Sequence, residues 1–172
     1  MTAISLPLLK THLQHALGPD LLSDAYRDSW SETNPTAGLC SVASEAAWFV
    51  LGGLTSDWVP YVARDGVAGT HWWLQHAQTG ERFDPTAAQY RSRGEVPPYE
   101  RGLEGKGAGF MGIRKDETNP WGFGRRPSAR AQRLLERMLL NAEASSPQEF
   151  VEQLRVPVHE PTPSRGRRLR LR

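Results

Sequence analysis

Cysteine is nearly absent from this chain of 172 residues: Cys40 is the only one. A single cysteine cannot form an internal disulfide, so the disulfide-stabilised folds of secreted proteins are excluded. One cysteine with His71 and His76, which have opposite parity on one predicted strand, also does not provide a converging set of zinc ligands. We therefore expect no structural metal and no cofactor.

Long apolar runs are also absent, since no stretch approaches the roughly 20 residues needed to span a bilayer. The segment 1–7 lacks a positive region followed by a long apolar one, so no signal peptide is predicted. We expect a cytoplasmic protein that does not use a membrane as its partner.

The chain also lacks a large excess of one charge, because its net charge is only +2. This balance does not indicate a general nucleic-acid-binding surface. The basic residues are nevertheless concentrated after Glu160, where no acid follows. This Arg-rich tail contains Arg165, Arg167, Arg168, Arg170 and Arg172. We interpret it as a disordered terminus, and the alternative is an arm that contacts nucleic acid or another acidic partner.

The remaining composition is that of one ordinary globular domain, with 38% hydrophobic and 23% charged residues. We assign residues 1–156 to a single domain and 157–172 to the Arg-rich tail. Helices are predicted at 6–17, from Asp20 toward Trp30 with Ala25 facing inward, at 39–51, and from Ser128 and Pro147 onward. Strands are predicted at 58–63, 70–76 and 81–84, and 91–126 is predicted to be irregular with one strand at 110–113. This order indicates an α+β fold rather than a doubly wound sheet.

Cys40 lies where a loop containing Gly38 leads into an alanine-rich helix. A helix N-terminus and a nearby imidazolium both favour the thiolate, which is the reactive form of cysteine. A lone cysteine is more commonly a small buried apolar residue. Its position at the start of a helix favours a nucleophile.

His71 and Asp84 are the candidate partners of Cys40. His71 begins the run Trp72-Trp73-Leu74 near the start of a strand, which favours it over His76 as a general base. The turn at Thr79-Gly80 would pair that strand with the one ending at Asp84, whose carboxylate could orient the imidazole. Because Pro follows Asp84, the alternative is that this side chain starts a turn of helix, and both roles can coexist.

Two further assignments concern the surroundings of Cys40. Its backbone N–H is one candidate oxyanion donor, and the amide of Asn34 is the second, although Asn-Pro is also a common loop pair. Trp72 and Trp73 are adjacent on a strand, so one faces the core and the other could line a substrate groove.

Three segments carry a resemblance to a known family. They read Asn34-Pro-Thr-Ala-Gly-Leu-Cys-Ser-Val-Ala-Ser-Glu-Ala, Gly69-Thr-His-Trp-Trp-Leu and Phe83-Asp-Pro-Thr-Ala-Ala-Gln-Tyr. Together they resemble the YunG-like proteins of bacteria and their phages, which are small and similar to papain-like and transglutaminase-like Cys-His-Asp folds. The resemblance implies a papain-like core and a triad of Cys40, His71 and Asp84. For a phage protein the compartment would be the host cytoplasm.

The sequence thus supports two hypotheses from different classes. The first is a cysteine-dependent hydrolase or acyltransferase that acts on an amide, isopeptide or ester bond of a protein or peptide-like substrate. Peptidase, deamidase and transferase outcomes share this chemistry. The second is a non-catalytic papain-like binding or inhibitor protein that uses the Arg-rich tail.

Overall fold

The fold, given by a computed structural model, is described for residues 2–66, 69–105, 110 and 114–157, and it is α+β. The described helices are α1 (Leu6–Ala16), α2 (Cys40–Val50), α3 (Ala88–Arg91), α4 (Ala129–Asn141) and α5 (Pro147–Gln153). The described strands are β1 (Thr2–Ile4), β2 (Trp58–Asp65), β3 (Gly69–His76), β4 (Arg82–Phe83), β5 (Leu103–Glu104), β6 (Arg114–Lys115), β7 (Arg125–Arg126) and β8 (Arg155–Pro157).

The main sheet is antiparallel, with the strand order β4-β3-β2-β5. β2 and β3 pair along their full length, and Ala63 lies opposite His71 in their register. Gly80 adopts a φ of 71° in the turn from β3 to β4, and Leu74 then pairs with Phe83. Because Phe83 is the last residue of β4, this register brings Asp84 to the edge of β3.

Helix α2 lies at the centre of the hydrophobic core. Ala43, Ala46 and Ala47 are fully buried, and their small side chains allow close approach of neighbouring elements. The helix contacts β2, β3, α1 and α4. It ends before Gly52, whose φ of 99° is the left-handed conformation that glycine accepts without strain. Gly52 therefore ends the helix as its sequence predicts.

Helix α4 covers the other part of the core, and it begins at the predicted residue. The Ser128 hydroxyl caps it by accepting a hydrogen bond from the Ala131 N–H at 3.4 Å. Leu134, Leu135 and Met138 are fully buried on one face, as their spacing indicates. Pro147 begins α5 at its first turn.

The predicted helix between Asp20 and Trp30 is wrong. The chain forms two 3-10 turns there, Pro19–Leu21 and Asp24–Ser29, and Ala25 is exposed rather than inward-facing. Asp20 does not cap a helix, because its carboxylate accepts a hydrogen bond from Arg137 at 2.8 Å. A tertiary ion pair thus replaces the local capping interaction that the sequence suggested.

Short strand pairs outside the main sheet were not predicted. β6 pairs with β7 within 91–126, and β1 pairs with β8 near the two ends of the described chain. Such strands of two or three residues have no readable alternation, so only the tertiary structure reveals them. Of the strand predicted at 110–113, only Phe110 is described, and its side chain is buried in the core. The Arg-rich tail lies, from residue 158 onward, outside the described residues.

Candidate active site

Cys40 is the first residue of α2, and the loop before it requires glycine at position 38. Gly38 has a φ of 74°, and a Cβ there would lie 2.8 Å from the side chains of both Leu22 and Tyr26. Within the described residues no side chain caps α2, so the partial positive charge of its N-terminus acts on Cys40 directly. Cys40 is 7% exposed, and its thiol donates to the Thr70 carbonyl at 3.4 Å.

His71 and Asp84 form a buried pair. His71 Nε2 lies 2.7 Å from Asp84 Oδ2, and the two side chains are 1% and 3% exposed. An ionised carboxylate only accepts hydrogen bonds, so Nε2 carries the proton and donates it. The other ring nitrogen, Nδ1, is therefore the one available to exchange a proton with Cys40.

Asp84 also shapes the turn that follows it. Its Oδ1 accepts from the Thr86 N–H at 2.9 Å and from the Thr86 hydroxyl at 3.2 Å. Its Oδ2 accepts from His71 and from the Tyr99 hydroxyl, the latter at 2.9 Å. Asp84 thus contacts the imidazole through Oδ2 and the turn that follows it through Oδ1. It does not cap α3, however, because the N-cap of that helix is Ala87.

Burial lowers the pKa of His71, but the hydrogen bonds and charge interactions with Asp84 and Cys40 raise it, and the resulting pKa is about 9. The ring therefore binds a second proton more readily than a free imidazole does.

Gln89, on α3, is a site residue that the sequence analysis missed. Its amide Nε2 lies 3.2 Å from His71 Nδ1 and 3.2 Å from the Thr86 hydroxyl, and the residue is 9% exposed. The N–H of the amide can donate to Nδ1 only when the ring is neutral. Asp84 thus favours the charged ring and Gln89 the neutral one. Only the position of Gln89 five residues after Asp84 could have suggested this contact.

Aromatic side chains shield His71 from water. Trp73 stacks on the imidazole with 5.9 Å between ring centroids, and Tyr90 meets it edge-on at 4.8 Å. The Tyr90 hydroxyl donates to Asp65 at 2.9 Å. Burial, followed by the interactions with Asp65, raises the pKa of Tyr90, so this hydroxyl stays protonated. The low-polarity surroundings strengthen the His71–Asp84 interaction.

The oxyanion role of Asn34 stays a prediction, and in this structure the side-chain amide of Asn34 has other partners. Its Nδ2 donates to the Gln89 carbonyl at 3.3 Å and to the Ser92 hydroxyl at 2.9 Å. Both of its N–H donors are thus used to join the 31–38 loop to the end of α3. His76, the competing histidine, is half-buried next to Trp58 and accepts from the Gln78 N–H at 3.3 Å.

The two adjacent tryptophans occupy different environments. Trp73 is fully buried against His71, whereas Trp72 is half-buried and lines a large cavity. This cavity has a volume of about 750 Å³, and Cys40 is one of the residues that line it. Other lining residues are Tyr26, Asn34, Thr70, Gln89 and Arg130. A cavity of this size beside Cys40 can accommodate part of a substrate.

The part of the chain that the structure describes contains neither of two other kinds of site, a metal centre or a membrane-spanning helix. No group of three His, Cys, Asp or Glu side chains there could hold a metal ion. None of the helices in these ranges is long and apolar enough to cross a bilayer.

Comparisons with protein-family models, with curated proteins and with solved structures found no match to this chain. The resemblance to the YunG-like proteins therefore stays a prediction. Any functional conclusion depends on the geometry of the site itself.

Proposed function

We propose that this protein is a cysteine-dependent hydrolase or acyltransferase with a papain-like core, acting on an amide, isopeptide or ester bond. The observation that carries this proposal is the buried His71–Asp84 pair next to Cys40, where Cys40 also lines the cavity. An inert structural cysteine does not need a histidine held by a buried carboxylate, because packing alone would satisfy it.

In the proposed reaction the Cys40 thiol proton passes to His71, and the sulfur attacks the substrate carbonyl. The tetrahedral intermediate collapses when His71 gives its proton to the leaving amine or alcohol, and an acyl-thioenzyme remains. Water or an amine then attacks the thioester and gives up a proton to His71. Protonation of the departing sulfur regenerates Cys40. Asp84 fixes the orientation and charge of His71 throughout.

Gln89 replaces Asn34 as the proposed side-chain donor for the oxyanion. Once His71 carries a proton on Nδ1, an N–H of Gln89 loses its acceptor there. That N–H then becomes available, with the backbone N–H of Cys40, to the charge that develops on the carbonyl oxygen.

The experiment measures the rate at which iodoacetamide alkylates Cys40 in the folded protein between about pH 5 and pH 9. We expect rapid alkylation at about pH 6, where an ordinary thiol is slow, and loss of this rate in His71→Ala. His71→Gln is the second variant, in case the smaller side chain prevents folding. Circular dichroism establishes that each variant is folded.

Turnover is tested with p-nitrophenyl acetate. We expect release of p-nitrophenol with transient acetylation of Cys40, seen by intact mass, and neither in Cys40→Ala. An inert Cys40 in the folded wild-type protein would overturn the proposal and favour a non-catalytic binding protein. An alkylation rate that is the same in both folded His71 variants would do so as well.

A further inference from the structure

The wall of the cavity beside Cys40 contains three charged side chains: Asp65, Arg93 and Arg130. Two of them neutralise each other, since Arg93 lies 3.3 Å from Asp65. Arg93 also pairs with Glu95 at 3.1 Å, and its guanidinium lies 4.5 Å above the Tyr90 ring. Arg93 is thus held in place by groups of the protein.

Arg130, in the first turn of α4, differs from Arg93. Among the described residues, no carboxylate forms an ion pair with it. One of its nitrogens donates to the Leu21 carbonyl at 3.2 Å, which anchors the side chain without neutralising it. Glu45 is near enough for its charge to be felt, but its carboxylate accepts both of its hydrogen bonds from Ser128.

The guanidinium of Arg130 has five N–H donors, and the contact with Leu21 uses one nitrogen. Arg130 lines the cavity, and the other arginine of the wall is already paired. A planar fork of donors matches a carboxylate in a bidentate arrangement, and a partly shielded cavity strengthens that interaction. Arg130 is also half-buried, so its position is better defined than that of a surface arginine.

We propose that the cavity takes an acyl substrate that carries a carboxylate, and that Arg130 binds this carboxylate. The inference rests on the proposed function, because Cys40 must be the reacting group. The rest of the wall is largely uncharged and includes Ser23, Ser29, Ser41 and Thr70. A cationic group of a substrate placed next to Arg130 would be repelled by the guanidinium, so this part of the cavity disfavours such a group.

The test compares two alkylating reagents at Cys40, the anion iodoacetate and the neutral iodoacetamide. Both form a sulfur–carbon bond as iodide leaves, and they differ mainly in charge. We expect the iodoacetate-to-iodoacetamide rate ratio of the protein to exceed that of glutathione at the same pH. In Arg130→Gln the ratio should fall about threefold to tenfold, as expected for loss of one nearby charge.

Two variants serve as controls. Arg133→Gln removes a charge from the same helix, where the side chain is 55% exposed and is not part of the cavity wall, so the ratio should not change. Arg130→Lys keeps the charge and should keep most of the ratio. Raising the salt concentration should reduce the ratio of the wild-type protein.

The outcomes separate this inference from the proposed function. If neither reagent alkylates folded wild-type protein, the proposed function fails and this inference fails with it. If both reagents react rapidly but Arg130→Gln leaves the ratio unchanged, the proposed function survives and the carboxylate site is wrong. An equal fall in Arg130→Gln and Arg133→Gln would also overturn it, because the effect would be general surface charge.

Discussion

Asp84 and Glu45 are two buried carboxylates whose partners differ. Asp84 accepts hydrogen bonds from His71, Tyr99 and Thr86, and one of these partners can carry a full positive charge. Among the described residues, the hydrogen bonds that Glu45, on α2, accepts come from Ser128, through the backbone N–H at 2.6 Å and the hydroxyl at 2.7 Å. A buried carboxylate thus positions the imidazole of His71 in one region and the start of helix α4 in the other.

The electrostatics of the two regions differ accordingly. Burial raises the pKa of Glu45, and the hydrogen bonds from Ser128 offset this only in part. Near Asp84, the carboxylate instead helps to raise the pKa of His71. A buried carboxylate next to a cation can supply chemistry, whereas one held by neutral donors joins two helices.

The largest expected effect comes from Asp84→Ala, which leaves the buried imidazole without its partner. We expect the free energy of unfolding to fall by about 3–5 kcal/mol, measured by urea denaturation. Asp84→Asn keeps the shape and removes the charge, so it should fold and should slow Cys40 alkylation about tenfold or more. If folded Asp84→Asn is alkylated at Cys40 as fast as the wild-type protein, the carboxylate does not set the orientation or charge of His71.

The pH dependence of stability should distinguish the two regions. The pKa of His71 is raised from 6.5 to about 9, so its stabilisation is complete below pH 6.5 and is lost as the pH rises through 9. The loss corresponds to about 3 kcal/mol. The pKa of Glu45 is also raised, from 4.5, so its contribution also decreases as the pH rises, beginning near pH 4.5.

Urea unfolding measured from about pH 6 to pH 10 checks this expectation. His71→Gln should remove most of the alkaline decrease, and Glu45→Gln should leave that decrease unchanged. An alkaline decrease of the same size in His71→Gln would mean that another group causes it.

The smallest expected effect is that of Glu45→Gln on stability at neutral pH. The amide can still accept from the Ser128 N–H and can donate to the Ser128 hydroxyl, while the cost of burying a charge disappears. We expect the free energy of unfolding to change by at most about 1 kcal/mol and the rate of Cys40 alkylation to stay the same. A loss as large as that of Asp84→Ala would remove the distinction between the two carboxylates.

Elements with local signals were predictable from the sequence. The helix that begins near Cys40 and stops at Gly52, the strand of His71 and the cap at Ser128 all depend on neighbouring residues. Turn residues at Gly80 also predicted a strand at 81–84 paired with that of His71, and the observed strand β4 ends one residue earlier, at Phe83. These are the parts of the site that lie close together in the chain.

Contacts made across the chain were not predictable in the same way. Glu45 and Ser128 are 83 residues apart in the chain. Arg130, in the first turn of α4, lines the same cavity as Cys40 although the two residues are far apart in the sequence. The hydroxyl of Tyr99 reaches Asp84 from a segment predicted to be irregular. Such contacts depend on how helices and loops pack, which a single sequence does not specify residue by residue.

The pairing of β2 with β3 has a consequence for how this chemistry could be lost or gained. Ala63 is the cross-strand neighbour of His71, and Tyr61 is that of Trp73. A shift of one residue between the two strands would turn each side chain to the opposite face. Depending on the direction of the shift, either Trp72 or Thr70 would then take the place of His71, and neither side chain can act as a base there. The reactivity proposed for the sulfur is therefore encoded in the alignment of two strands as much as in the identity of three residues.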